Sequence, residues 1–251
     1  MTTITLVTGG SRGLGRNTAL SVARHGGDVI LTYRNKAQEA QAVVAEIETM
    51  GRKATAFKLD TGDVKAFAPF AAQLKKALRE IWQRDSFDHL VNNAGHGEHA
   101  LIDQTTEAQF DGLVNVHLKG VFFLTQTLLP LIADGGRIVN LSSGLTRFAY
   151  PGYAAYAAMK GAVEVLTDYM AKELGPRGIT VNTVAPGAIE TDFGGGAVRD
   201  NPDVNKLFAE MTALGRAGLP DDIGPMIASL LSEDNRWVNA QRIEVSGGQG
   251  I

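Results

Sequence analysis

Short β-branched runs alternate with longer helical patterns along the whole chain, and this alternation fixes the class of fold open to it. The runs are Ile4–Val7, Asp28–Thr32, Ala54–Lys58, His89–Asn92, Arg137–Leu141, Thr180–Val184 and Arg242–Val245. Helical periodicity covers Leu14–His25, Lys36–Met50, Val64–Trp82, Ala108–Ile132 with a break, Tyr153–Leu174 and Asp221–Leu231. Runs such as Arg137-Ile-Val-Asn-Leu are apolar on both faces, the pattern of strands buried in a parallel sheet. Repeated βα units with right-handed crossovers predict an α/β fold, a doubly wound parallel sheet of about seven strands with helices on both faces. No Pro/Ser-rich linker or charge run divides residues 1–251, so one domain is expected. The stretch Asp192–Leu219, with Phe193-Gly-Gly-Gly-Ala, lacks clear periodicity; a substrate lid is expected around 188–219.

The first strand runs into Thr8-Gly-Gly-Ser-Arg-Gly-Leu-Gly15, which opens the first helix. Gly9, Gly13 and Gly15 permit positive φ and let backbone N–H groups approach a pyrophosphate at a helix N-terminus. The spacing differs from G-x-G-x-x-G, and a simple tight turn is the competing reading. An NAD site places an acid at the end of the second strand for the ribose hydroxyls. Here that place reads Thr32-Tyr33-Arg34-Asn35-Lys36. Arg34, with Arg12 in the turn, suits a 2′-phosphate, so NADP(H) is the expected cofactor; two solvated arginines are the alternative.

Tyr156 and Lys160 stand four residues apart in Tyr-Ala-Ala-Met-Lys, on one face of a helix. A free tyrosine titrates near pH ~10, and a neighbouring cation favours phenolate, so the pair is expected to work as an acid–base couple.

In their order along the chain the motifs resemble those of the short-chain dehydrogenase/reductase family: the glycine turn, Asp60, Asn92-Asn-Ala-Gly95, Asn115, Ser142-Ser143, Tyr156-x-x-x-Lys160, Pro186-Gly187 and the closing Gln241-Arg-Ile-Glu-Val-Ser-Gly-Gly248. The resemblance spans essentially the whole chain and implies a single-domain Rossmann fold. It implies that Tyr156 is the general acid/base, Lys160 its activator and a ribose ligand, Ser143 the hydroxyl orienting the reacting oxygen, and Asn115 the holder of a proton-relay water. It extends the cofactor set to Gly9, Ser11, Arg12, Gly13, Leu14, Tyr33, Arg34, Asp60, Thr61, Asn92, Ala94, Gly95, Tyr156, Lys160, Pro186, Gly187, Ile189 and Thr191. Asp60 and Thr191 could equally cap helices. Relatives imply a homotetramer or homodimer, and ketone–alcohol interconversion on a small molecule; 3-oxoacyl thioesters, sugars and small ketones stay open. A non-catalytic NADP(H)-binding sensor or interaction protein is the alternative from another class, since fold alone does not decide function.

The chain departs from the family at Ser246, where Asp is common, and at Asn239, where Gly is common. The segment Leu78–Asp88 is expected to form an extended surface helix and loop. Phe148, Tyr153, His96, Phe193 and Leu214 are candidate pocket residues. His96-Gly-Glu-His99 lacks the helical spacing of metal sites, so no metal is expected. A net charge of −3 argues against nucleic acid, and the absence of cysteine excludes disulfides and thiolate chemistry. The N-terminus lacks the features of a signal peptide and no apolar run reaches membrane length, so a cytoplasmic protein without membrane partners is expected.

Overall fold

The computed structural model describes residues 2–251. Seven strands form one sheet in the order β3-β2-β1-β4-β5-β6-β7, every pair parallel. They are β1 (Ile4–Val7), β2 (Asp28–Tyr33), β3 (Ala54–Lys58), β4 (Phe87–Asn92), β5 (Ile132–Leu141), β6 (Thr180–Pro186) and β7 (Arg242–Val245). The strand order reverses between β1 and β4, which opens a crevice at their C-terminal ends.

Helices cover both faces. On one lie α1 (Gly13–Arg24) and α2 (Ala37–Thr49), sharing a core with Val7, Leu31, Val91 and Val184. On the other, α3 (Phe67–Trp82) packs Phe67, Phe70, Leu74 and Leu78 against Leu6, Leu90, Ile138 and Val181. The chain continues through α4 (Glu107–Leu113), α5 (Gly120–Leu128), α6 (Ala154–Leu174), α7 (Ala197–Asp200), α8 (Pro202–Glu210) and α9 (Pro220–Leu230). Helix α9 joins α1 on the first face, so close that a Cβ on Gly224 would lie 1.9 Å from Asn17 Oδ1.

Three stretches differ from the sequence expectation. The pattern Ala108–Ile132 divides into α4, a π-turn over Val114–Lys119, α5 and a 3-10 turn at Leu129–Leu131, after which Ile132 already begins β5. Pro130 in that last turn has no N–H with which to continue an α-helix. After α3, Gln83 adopts φ +53 and Arg84 forks onto Asp88 at 2.8 and 2.7 Å, so the expected surface loop turns inward and buries Phe87 completely. Within residues 188–219, Asn201 Oδ1 accepts the N–H groups of Asp203 and Val204 at 3.0 and 3.2 Å, and this cap starts α8.

Candidate active site

The glycine turn is held against the end of β4 by Thr8 and Asn93. Thr8 Oγ1 accepts the N–H groups of Asn93 and Ala94 at 2.9 and 3.0 Å, while Asn93 Nδ2 donates to Thr8 O at 2.8 Å. Gly15 leaves no room for a side chain, since a Cβ there would fall 2.2 Å from Gly9 O. Gly9 and Gly13 take φ of +66 and +53, and a Cβ on Gly13 would lie 3.8 Å from Cβ of Thr191. Helix α1 begins without a side-chain cap at Arg12 and without an acid in its first turn. Its first N–H groups, lacking intrahelical partners, therefore favour an anion.

At the end of β2, Arg34 is exposed and forms no ion pair within 4.0 Å among the described residues. Arg12 pairs with Asp192 at 3.5 Å. The uncapped helix, the glycine cradle and the free guanidinium at Arg34 together fit a pyrophosphate with an additional phosphate on its ribose. Lining the same crevice, Asp60 Oδ1 accepts Gly62 N–H at 2.9 Å, and Asp63 rather than Asp60 caps the turn before α3. The carbonyl of Thr61 packs against Gly120. Asn92 is buried and donates to Asn140 Oδ1 at 2.8 Å and Thr125 Oγ1 at 3.1 Å, tying β4 to β5 and α5.

Beyond β6, Gly187 N–H donates to Val245 O at 3.1 Å, and Gln249 Oε1 accepts Ala188 N–H at 2.8 Å. Ile189 bridges to Gly218, and Thr191 Oγ1 accepts Phe193 N–H at 3.1 Å. Ser11, Leu14 and Tyr33 sit along the glycine turn and the end of β2, and Ala94 and Gly95 follow β4.

Tyr156 and Lys160 lie in the first turns of α6, with 6% and 5% of their surface exposed. Lys160 Nζ donates to Leu141 O at 2.7 Å and stands 5.6 Å from the centre of the Tyr156 ring. Burial pushes the Lys160 ammonium down to about 7. Burial also pushes the Tyr156 phenol well above its ordinary value, with the neighbouring Ser143 hydroxyl pulling the other way and Tyr153 adding to the rise. This corrects the expectation that a cation one turn away would dominate, because desolvation of a phenolate outweighs it here.

Ser143 is fixed by its neighbours. Its Oγ accepts Leu145 N–H at 3.2 Å, leaving the hydroxyl proton to donate elsewhere. Glu164 Oε1 accepts from Ser142 Oγ, Thr146 Oγ1 and Arg242 Nε at 2.6, 2.8 and 2.8 Å, and Arg242 Nη2 donates to Ser143 O at 3.3 Å. Asn115 lies on the π-turn, a form of helix that recurs at functional sites.

His117, two residues further on, is 1% exposed. Its Nε2–H donates to His96 O at 2.8 Å, and its ring meets the Tyr156 ring edge-on at 5.2 Å. Burial, followed by the Lys160 charge, keeps this imidazole neutral. Sequence reasoning placed it merely within a helical pattern; nothing in the sequence marks the π-turn that aims it at Tyr156. Thr8 and Asn93 sit within quoted motifs, but their tie became visible only in three dimensions.

Of the candidate pocket residues, Tyr153 and Phe193 lie against Tyr156 at 6.4 and 5.6 Å between ring centres, and His96 stacks near His117 at 5.4 Å. Phe148 and Leu214 instead pack toward Gly250 and Gly247 of the C-terminal tail. His99 turns its ring onto Gly152 and Tyr153, and His96 Nε2 stays 4.0 Å from Glu98 Oε1.

The family profile described as enoyl-(acyl carrier protein) reductase matches residues 9–249. The 3-oxoacyl-[acyl-carrier-protein] reductase FabG of Staphylococcus aureus is 38% identical over 251 residues, covering 99% of this chain and 98% of its own. The angucycline C-6 ketoreductase LanV, solved with bound NADP, superposes with a TM-score of 0.93 at 36% identity, covering 98% of this chain and 95% of its own. A short-chain dehydrogenase from Burkholderia cenocepacia, solved in complex with NADP, does so at 0.90 and 36%, covering 98% and 97%. The chain belongs to the short-chain dehydrogenase/reductase family.

Proposed function

We propose that Tyr156, Ser143, Lys160 and Asn115 carry the interconversion of a ketone and a secondary alcohol in the cleft beside the glycine turn. The chain is an NADP(H)-dependent oxidoreductase acting between carbonyl and alcohol. Gly9, Gly13 and the start of α1 hold the pyrophosphate, Arg34 the 2′-phosphate, and Lys160 the nicotinamide ribose. Bound there, the nicotinamide supplies or accepts the hydride.

The chain's own residues manage the oxygen and its proton. Ser143 donates a hydrogen bond to the carbonyl oxygen and sets its angle. Tyr156 gives that oxygen a proton during reduction and takes it back during oxidation. Burial makes the phenol a weaker acid and keeps its proton in place until hydride transfer turns the carbonyl oxygen into the stronger base. Lys160 and Asn115 return the proton from solvent.

One observation carries this reading: a buried phenol, close enough to the Ser143 hydroxyl to be influenced by it, stands in the same cleft as an uncapped, glycine-cradled helix N-terminus. A sensor needs the cradle but not the phenol–hydroxyl pair. The description of the matched profile favours a second reading, reduction of an enoyl thioester. Two hydroxyls converging on one position favour a carbonyl oxygen instead. Ketone-dependent oxidation of NADPH is expected. Turnover confined to a 2-enoyl thioester would support the second reading, and NADPH binding without any turnover would support the sensor.

We further infer one domain with a lid over 188–219, assembled as a cytoplasmic homotetramer. No described helix is long and apolar enough to cross a membrane. Exposed Phe122 and Phe123 on α5, with Val165 and Tyr169 on α6, offer apolar surface for neighbouring subunits. Light scattering at micromolar concentration tests the assembly; a monomer contradicts it.

A further inference from the structure

The substrate side of the cleft is built from rings, and this bears on what the ketone is attached to. Tyr156 is flanked by Phe193 at 5.6 Å and Tyr153 at 6.4 Å between ring centres. Outward from Tyr153 the wall continues to His99 at 5.2 Å and Tyr150 at 6.0 Å. Phe193 retains 42% of its surface exposed although its edge packs on Gly97, where a Cβ would lie 2.8 Å from the ring. Gly97 therefore lets the ring approach the chain closely while much of its surface stays exposed. Gly152 does the same for His99, whose ring atoms would come within 2.3 Å of a Cβ there.

The electrostatics of this wall point the same way. Burial lowers the pKa of His96, so that imidazole is neutral at pH 7. Cations near the mouth are already neutralised: Arg12 and Arg199 by Asp192, Arg199 also by Asp200, and Arg147 by Glu244. Lys160 is held by Leu141 O and, on the reading above, serves the nicotinamide ribose. The lid carries five acids (Glu190, Asp192, Asp200, Asp203, Glu210) against three bases (Arg199, Lys206, Arg216). A phosphate-bearing thioester, or an acidic carrier domain, would meet a lid of net negative charge, while Arg34, the unpaired guanidinium nearest His96, is taken by the 2′-phosphate on the reading above.

We propose that the substrate is a neutral ketone fused to a planar aromatic ring system, held between Phe193 and Tyr153, with its carbonyl directed to Ser143 and Tyr156. The inference rests on the ketone reading above. The reaction stays balanced: the carbonyl carbon gains the hydride, its oxygen gains the Tyr156 proton, and NADPH becomes NADP⁺. Aromatic faces discriminate between substrates of equal bulk because a flat π-face makes offset or edge contacts that a puckered saturated ring does not.

The test compares 2-tetralone, its saturated counterpart 2-decalone, and acetoacetyl-CoA with NADPH. The expected kcat/KM for 2-tetralone is about tenfold above that for 2-decalone, the order that two ring contacts supply, and higher still above the thioester. In Phe193→Leu, and separately in Tyr153→Leu, the ratio of tetralone to decalone is expected to fall below about threefold. Equal or better use of 2-decalone or acetoacetyl-CoA would overturn the aromatic assignment while leaving ketone reduction standing. An unchanged ratio in both folded variants would overturn it as well. No NADPH oxidation with any of the three would overturn the ketone reading and this inference together.

Discussion

Replacing Lys160 by methionine keeps the length of the side chain and removes a buried ionisable group whose folded-state pKa lies near 7 instead of 10.5. The folded value is below the unfolded one, so between these limits the unfolded chain binds a proton that the folded chain does not. Stability therefore rises with pH across that window. Its burial cost is fully present below about 7 and gone above 10.5. From pH 7.5 to 9.5, linkage at these two values gives the native protein about 2.5 kcal/mol of added stability from this group alone. The chosen range avoids the histidines. His89 is lowered to about 4, and His96 and His117 are lowered too, so their contributions develop below about pH 6.5. It also stops short of the pH where the raised Tyr156 pKa begins to cost stability, above about 10. Urea denaturation of the cofactor-free protein at several pH values reads the slope. Stability is expected to rise by about 2.5 kcal/mol in the native protein and to stay nearly flat in Lys160→Met. Parallel profiles in the two proteins would mean that Lys160 is not the desolvated group described above.

Arg34→Ala should raise KM for NADPH roughly 10- to 100-fold, the worth of a charge-assisted phosphate contact, while changing KM for NADH little; an equal effect on both would remove the 2′-phosphate assignment. Gly15→Ala should lose about 1–3 kcal/mol in urea titrations, because its Cβ overlaps Gly9 O and Asn93 Nδ2, and unaltered stability would show that the turn is looser than described. His117→Phe retains a ring against Tyr156 but loses the bond to His96 O, so kcat should fall several-fold with KM for NADPH unchanged. Wild-type kcat in that variant would limit His117 to packing.

Much of the architecture could be read from the chain because its signals are local. Each of the seven strands was visible as a short β-branched run, and the glycine turn announced the first crossover by its place between β1 and α1. Misreadings arose where long-range packing decides. Phe87 is drawn into β4 by the sheet, although the residues before it look like a polar loop. Helix α8 depends on a single Asn201 cap inside a glycine-rich stretch whose composition masks it. The helical pattern over Ala108–Ile132 hides a π-turn, since apolar spacing does not distinguish a residue inserted into the turn from a continuous helix.

For the site, the spacing of Tyr156 and Lys160 gave their common face but not their electrostatics. Sequence proximity predicts that the ammonium lowers the phenol pKa, whereas burial, which spacing does not reveal, raises it and lowers the lysine. The contacts of Ser143 with Arg242, and of Tyr156 with His117, link residues far apart in the chain and emerge only from the fold.

The most direct measurement is single-turnover reduction of a ketone by NADPH in Tyr156→Phe, with NADPH affinity measured in parallel. The phenol is proposed as the proton donor, so removing its one oxygen should slow reduction by about 10²- to 10⁴-fold with NADPH still bound. A variant that reduces the ketone at the native rate would contradict that assignment and the catalytic scheme built on it.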